Sequence, residues 1–106
     1  MSITLTAPPL LDDLIPLLRA RETALRAAGI RRLSVFGSVA RGTAGMGRDI
    51  DLAVELDPDA HISLIDLVAL EREIAEYLDH SVDPLVEPVE KPGPRARIAR
   101  DRRPVF

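Results

Sequence analysis

The sequence predicts an α/β fold of the α+β kind, a single domain in which a small mixed sheet is flanked by helices. Apolar residues recur at helical spacing in two stretches, Leu14 to Ala28 and Leu64 to Leu78. Short runs with strand-like alternation lie between and after them, at residues 31–36, 49–56 and 82–86. The resulting order of helix, strand, turn, strand, helix, strand, helix is that of a small twisted sheet with helices packed on it. At 106 residues the chain is one domain able to bury roughly 60–70% of the surface its unfolded form exposes.

In chain order, residues 1–10 read as a flexible arm, since Pro8-Pro9 resists regular structure, and residues 11–106 as the domain. A helix follows, with Asp12 as N-cap, Asp13 in its first turn and Pro16 near its start. Its inward stripe is Leu14, Leu17, Leu18, Arg21, Leu25 and Ala28, and Gly29 ends it. Leu33 and Val35 alternate with Arg32, Ser34 and Phe36 along the first strand, and Gly37-Ser38 breaks it. Val39 to Arg41 can then start a helical turn whose free N–H groups accept an anion. A glycine-rich loop from Gly42 to Gly47 leads into the strand Asp49–Leu56. After the turn Asp57-Pro58-Asp59, Ser63 and Asp66 form a capping box for the second long helix. Its inward stripe is Leu64, Leu67, Leu70, Ile74, Tyr77 and Leu78, with Glu71, Arg72, Glu73 and Glu76 facing water. A third strand at Val82–Val86 contains Asp83, a Pro-rich connection follows, and a short helix around Arg95–Arg100 precedes a terminal strand at residues 104–106.

The chemistry concentrates between Phe36 and Leu52. Asp49 and Asp51 flank Ile50 on one strand, so both carboxylates point to one face about 6–7 Å apart at Cα, a spacing suited to a divalent cation. Asp83 supplies a third carboxylate if its strand lies beside theirs. Phosphoryl or nucleotidyl transfer needs a cradle for the triphosphate, cations to neutralise it and carboxylates to fix those cations. Gly37-Ser38, Asp49, Asp51 and Asp83 offer all three.

Gly37-Ser38-Val39-Ala40-Arg41-Gly42 followed by Asp49-Ile50-Asp51-Leu52 resembles the defining motif of the polymerase β-type nucleotidyltransferases, specifically their minimal nucleotidyltransferase (MNT) group. The resemblance extends from about residue 11 to the end. It implies that the glycine-serine pair contacts the nucleotide phosphates, that Asp49 and Asp51 bind two Mg²⁺ and that Asp83 completes the triad. Members often pair with a HEPN-domain ribonuclease toxin, and some add AMP from ATP to a toxin tyrosine. The resemblance therefore implies an MntA-like antitoxin, a protein adenylyltransferase with ATP as substrate. The alternatives are an antitoxin that neutralises its partner by binding alone, and transfer to a small molecule or an RNA end. Arg41 and Arg48 are further candidate nucleotide contacts. Arg48 stands where the family usually has serine, and Pro84 where an aliphatic residue is common.

Composition excludes several other functions. There is no cysteine, hence no disulfide or thiolate metal site, and the cytoplasm is the expected compartment. No apolar run approaches a membrane span. A net charge of −3 and only three aromatics argue against direct nucleic-acid binding. The basic run from Lys91 to Arg103, with Asp101 as its one acid, reads as a solvated helix face, with phosphates or an acidic partner as the other option. His61 and His80 lack the spacing of a metal site and read as surface residues, Tyr77 reads as core, and Val105 and Phe106 as exposed apolar residues for a partner.

Overall fold

The computed structural model describes residues 10–43 and 49–106, so the expected arm, apart from Leu10, and most of the glycine loop with Arg48 lie outside the described residues. Among the described residues, the chain builds a four-stranded mixed sheet in the order β3-β2-β1-β4, flanked by five α-helices. β1 (Ile30–Phe36) pairs antiparallel with β2 (Ile50–Leu56) and with β4 (Arg103–Pro104), while β3 (Val82–Val86) runs parallel to β2. A parallel neighbour needs a crossover, and α4 (Leu64–Leu78) supplies it.

The first helical stretch is two helices, α1 (Leu11–Arg19) and α2 (Glu22–Ala27), rather than one beginning at an Asp12 cap. Leu10 takes the extended N-cap position without any side-chain cap, so Asp12 and Asp13 serve in the first turn, against the positive helix end. The break falls at Ala20-Arg21, where Arg21 leaves helical geometry at φ −101°, ψ 6°. Leu14, Leu18 and Leu25 are buried as expected, but the break turns the stripe. Leu17 stays exposed, and Arg21 leaves the core to stack on Tyr77, its guanidinium 4.3 Å from the ring centre. Gly29, at φ 109°, ends the pair of helices.

Strand alternation sorts side chains to two faces. Ile50, Leu52 and Val54 of β2, Leu33 and Val35 of β1 and Val82 of β3 enter one core with α1, α2 and α4. On the other face, Phe36 and Ala53 meet Ile98 of α5 (Pro92–Asp101), with Leu85 and Val89 packed beside them. The register of β1 on β2 shifts between Ile30 and Arg32, and both Arg31 and Arg32 lie near Glu55, at 3.6 and 3.8 Å. At β3, Ile50 N–H donates to Ser81 and Glu87 N–H to Val54. Odd-numbered residues therefore bond inward, and Pro84 stands with its missing donor at the open edge of the sheet.

Ser63 and Asp66 form the expected reciprocal capping box, Asp66 N–H to Ser63 Oγ at 3.1 Å and Ser63 N–H to Asp66 Oδ2 at 2.9 Å. Leu70, Ile74 and Leu78 are buried, but Leu64 is 77% exposed, because the first turn of α4 projects beyond the sheet beside exposed Ile65 and Val68. α5 begins at Pro92, earlier than expected, since proline suits the first helical position. Val105 is buried and Phe106 half-buried, contrary to the expectation of an exposed pair: Val105 N–H bonds Leu33 O at 2.8 Å, and Arg26 lies over the Phe106 ring. Backbone pairing with β1 pulls the segment into the main core.

Candidate active site

The site begins where β1 ends. Phe36 pairs with Asp51 across the antiparallel ladder, and Gly37 opens the short helix α3 (Gly37–Arg41) directly beside that carboxylate. Gly37 has φ 75°, and a Cβ there would collide with Asp51 Oδ2 and stand 3.2 Å from its Cγ. Glycine is required twice over, by the left-handed backbone and by the approach of the carboxylate. Gly42, also left-handed, ends α3, and Thr43 N–H closes back on Ser38 O at 2.9 Å. Ser38 is half-buried on the first turn.

Asp51 and Asp83 are register partners on parallel β2 and β3, so their side chains stand on the same face of neighbouring strands, whose spacing is about 4.8 Å. Asp49, exposed, lies just before β2. Burial chiefly, then the negative charges of Asp83 and Asp49, raise the Asp51 carboxyl above its usual range, while Arg97 and Arg41 pull it down. Gly37, Ser38, Asp49, Asp51 and Asp83 are thus brought to one end of the sheet.

Arg41, on the last turn of α3, is tied to α5. Its Nη1 donates to Asp101 Oδ2 at 2.6 Å, and Arg100 holds the same carboxylate at 2.8 and 3.0 Å. These bonds, that from Arg100 first, keep Asp101 below the usual carboxylate range although the residue is only 7% exposed. Arg48 lies outside the described residues. α5 brings Asp101, absent from the expected site residues, to Arg41, and Arg97, likewise absent, within electrostatic reach of Asp51. The signal for Asp101 was its place as the lone acid in the basic run, which a periodicity reading assigns to solvent.

Among the described residues, no three His, Cys, Asp or Glu side chains are grouped as a ready metal cage. The donor set nevertheless suits Mg²⁺: it is all carboxylate oxygen, and the mutual repulsion at Asp51 is what a bound cation relieves. Asp49 and Asp83 are exposed and Asp51 half-buried. A cleft of about 520 Å³ lies on the opposite side of the sheet, lined by Leu18, Arg21, Leu25, Leu70, Ile74 and Tyr77 among others, and holds none of these carboxylates.

A family model described as "Nucleotidyltransferase domain" matches residues 17–105, which span every element of the site. The chain belongs to the nucleotidyltransferase domain family. A solved structure described as a "putative minimal nucleotidyltransferase" is 33% identical, with a TM-score of 0.65 over 85% of this chain and 94% of that one. This places the nucleotidyltransferase among the minimal members. A curated relative in Methanocaldococcus jannaschii, named "Putative protein adenylyltransferase", is 44% identical over 57 residues, 54% of this chain. The match spans 59% of that relative's length. The fold is shared, at 19% identity and a TM-score of 0.62, with a structure described as a tri-AMPylated Shewanella oneidensis HEPN toxin in complex with MNT antitoxin, over 87% of this chain and 71% of that one. No helix among the described residues is long and apolar enough to cross a membrane.

Proposed function

We propose that this nucleotidyltransferase is a Mg²⁺-dependent protein adenylyltransferase that transfers AMP from ATP to a tyrosine hydroxyl of a HEPN-domain toxin, acting as its antitoxin in the cytoplasm. The observation that carries the reading is the corner where Gly37 admits the Asp51 carboxylate, with Asp83 in register beside it. The curated adenylyltransferase relative and the fold shared with an antitoxin bound to an AMPylated toxin support it. The exposed carboxylates of Asp49 and Asp83 suit an acceptor that brings its own binding surface.

Gly37 and Ser38 seat the triphosphate, joined by Arg48 and by the donors of Arg41 not engaged with Asp101. Asp49 and Asp51 would hold two Mg²⁺, with Asp83 helping to ligate one. When bound, the ions neutralise the triphosphate and stabilise the attacking and leaving oxygens. The acceptor oxygen bonds to the α-phosphorus, and the bond from that phosphorus to the α,β-bridging oxygen breaks. Pyrophosphate departs with the electron pair, and Asp83 takes the hydroxyl proton.

The test is the intact mass of the toxin after incubation with this protein, ATP and Mg²⁺. We expect a gain of one or more AMP units, reduced by more than about 100-fold in rate for Asp49→Asn and Asp51→Asn, as loss of several kcal/mol of charge stabilisation requires. Transfer that survives in both variants overturns the assignment. An unmodified toxin that is nonetheless silenced in a stable complex would make binding alone the function.

A further inference from the structure

The basic run on α5 and β4 is sorted by the fold into distinct tasks. Arg100 clasps Asp101 together with Arg41, and Arg102 bonds Ser34 at 3.2 Å and Glu87 at 2.6 Å. Arg95 lies in a shallow recess with Glu87, Glu90 and Val89. Arg97 is exposed and, among the described residues, has no ion pair or hydrogen bond.

Two contacts fix how α5 lies against α3. Arg41 meets Asp101, and Phe36, just before α3, shares a buried cluster with Ile98. On both segments the second contact is N-terminal to the first, so the two helices run in the same sense. Residues four apart share one helix face. Four before Arg41 is Gly37, and four before Asp101 is Arg97, which brings Arg97 level with the glycine that meets Asp51. The electrostatics agree: of the two arginines acting on the Asp51 carboxyl, which is raised mainly by burial, Arg97 acts more strongly than Arg41.

We propose that Arg97 is a nucleotide-binding residue, its guanidinium taking the non-bridging oxygens of the β- and γ-phosphates of a nucleoside triphosphate seated on Gly37-Ser38. This rests on the proposed function and adds to it a residue from α5. A planar guanidinium with free donors matches phosphate oxygens bidentately. Charge accumulates on the departing pyrophosphate, and a cation facing it stabilises that charge where it develops. Ile98 and Asp101, both buried, fix the rotation of α5 that leaves Arg97 exposed at the level of Gly37.

The test compares binding of ATP and of AMP, each with Mg²⁺, to the wild-type protein and to Arg97→Ala, Arg97→Gln, Arg97→Lys and Arg95→Ala by titration calorimetry. We expect Arg97→Ala and Arg97→Gln to weaken ATP about 10- to 100-fold, as loss of charge-assisted hydrogen bonds does. Arg97→Lys should recover part of the loss, and Arg95→Ala and all AMP affinities should stay within about twofold. Wild-type protein that binds no nucleotide overturns the proposed function and this inference with it. Wild-type binding retained in both Arg97→Ala and Arg97→Gln overturns this inference alone, and an equal loss for ATP and AMP overturns the assignment to the β- and γ-phosphates.

Discussion

The two faces of the sheet are made by the same strands and packed in opposite ways. On the α1–α2–α4 side, Leu33, Val35, Ile50, Leu52, Val54 and Val82 enter a continuous apolar core with Leu14, Leu18, Leu70 and Ile74. On the α3–α5 side, among the described residues, the buried apolar cluster is small, Phe36, Ala53 and Ile98 with Leu85 and Val89 beside them, and it adjoins charged groups: Asp51 and Asp83, with Arg41, Arg97 and Asp101 nearby. One residue's displacement along β2 separates the two environments. The difference teaches that apolar packing and charge are divided by strand alternation, so neighbouring positions meet different physical demands. Partial burial of Asp51 beside the exposed Asp83 costs free energy, and the apolar face is what offsets it.

Substitution of adjacent residues tests that division. Leu52, fully buried, should lose about 2–5 kcal/mol of unfolding free energy as Leu52→Ala, read from urea denaturation. Asp51→Asn should leave stability in EDTA at pH 7 unchanged or higher. Its folded carboxyl is raised above the unfolded value, so the charged form works against the fold as pH rises, and the amide removes that effect. Equal losses in the two variants would show the faces to be one mechanical unit.

Gly37→Ala sharpens the comparison at the point where the faces meet the helix. The positive φ and the collision with Asp51 should together lower stability by about 1–3 kcal/mol. Transfer should fall further than the folded fraction does, because the carboxylate must move. A variant with full specific activity would show that Asp51 tolerates displacement.

The smallest effect belongs to the far end of α4. Asp66 accepts from Ser63 N–H, and this bond, with that to the serine side chain, lowers its carboxyl below the usual value. Asp66→Asn should lower the melting temperature slightly at pH 7. Because the folded value is depressed, the contribution is present above the unfolded pKa and lost as pH falls through the folded one, so the difference from wild type should close on acidification. A gap that persists at low pH would mean the cap does not act through the carboxylate.

The sequence told most about elements whose signals are local. The Ser63–Asp66 box and the Leu70-Ile74-Leu78 spacing foretell α4, and Gly37-Ser38 with Asp49 and Asp51 foretells the site corner, because each depends on neighbours a few residues away. Features set by distant partners did not show. Arg41 is claimed by Asp101, sixty residues on, and Val105 is drawn under by β1 through Leu33. Leu64 fits the apolar period of α4 yet stays exposed, since periodicity does not say where the sheet ends. The break at Ala20-Arg21 is written in no glycine or proline at that position, and the Arg21 stack on Tyr77 accompanies it.

Pro84 also governs how this molecule meets its own kind. The sheet's outer strands are β3, whose mid-strand donor is missing on the open side, and β4, only two residues long. Among the described residues, neither margin presents a long run of unpaired amides for a strand from another chain. Along these margins, backbone pairing between copies is therefore disfavoured. A companion that meets either margin has to be gripped there through side chains, which makes that contact sensitive to single substitutions.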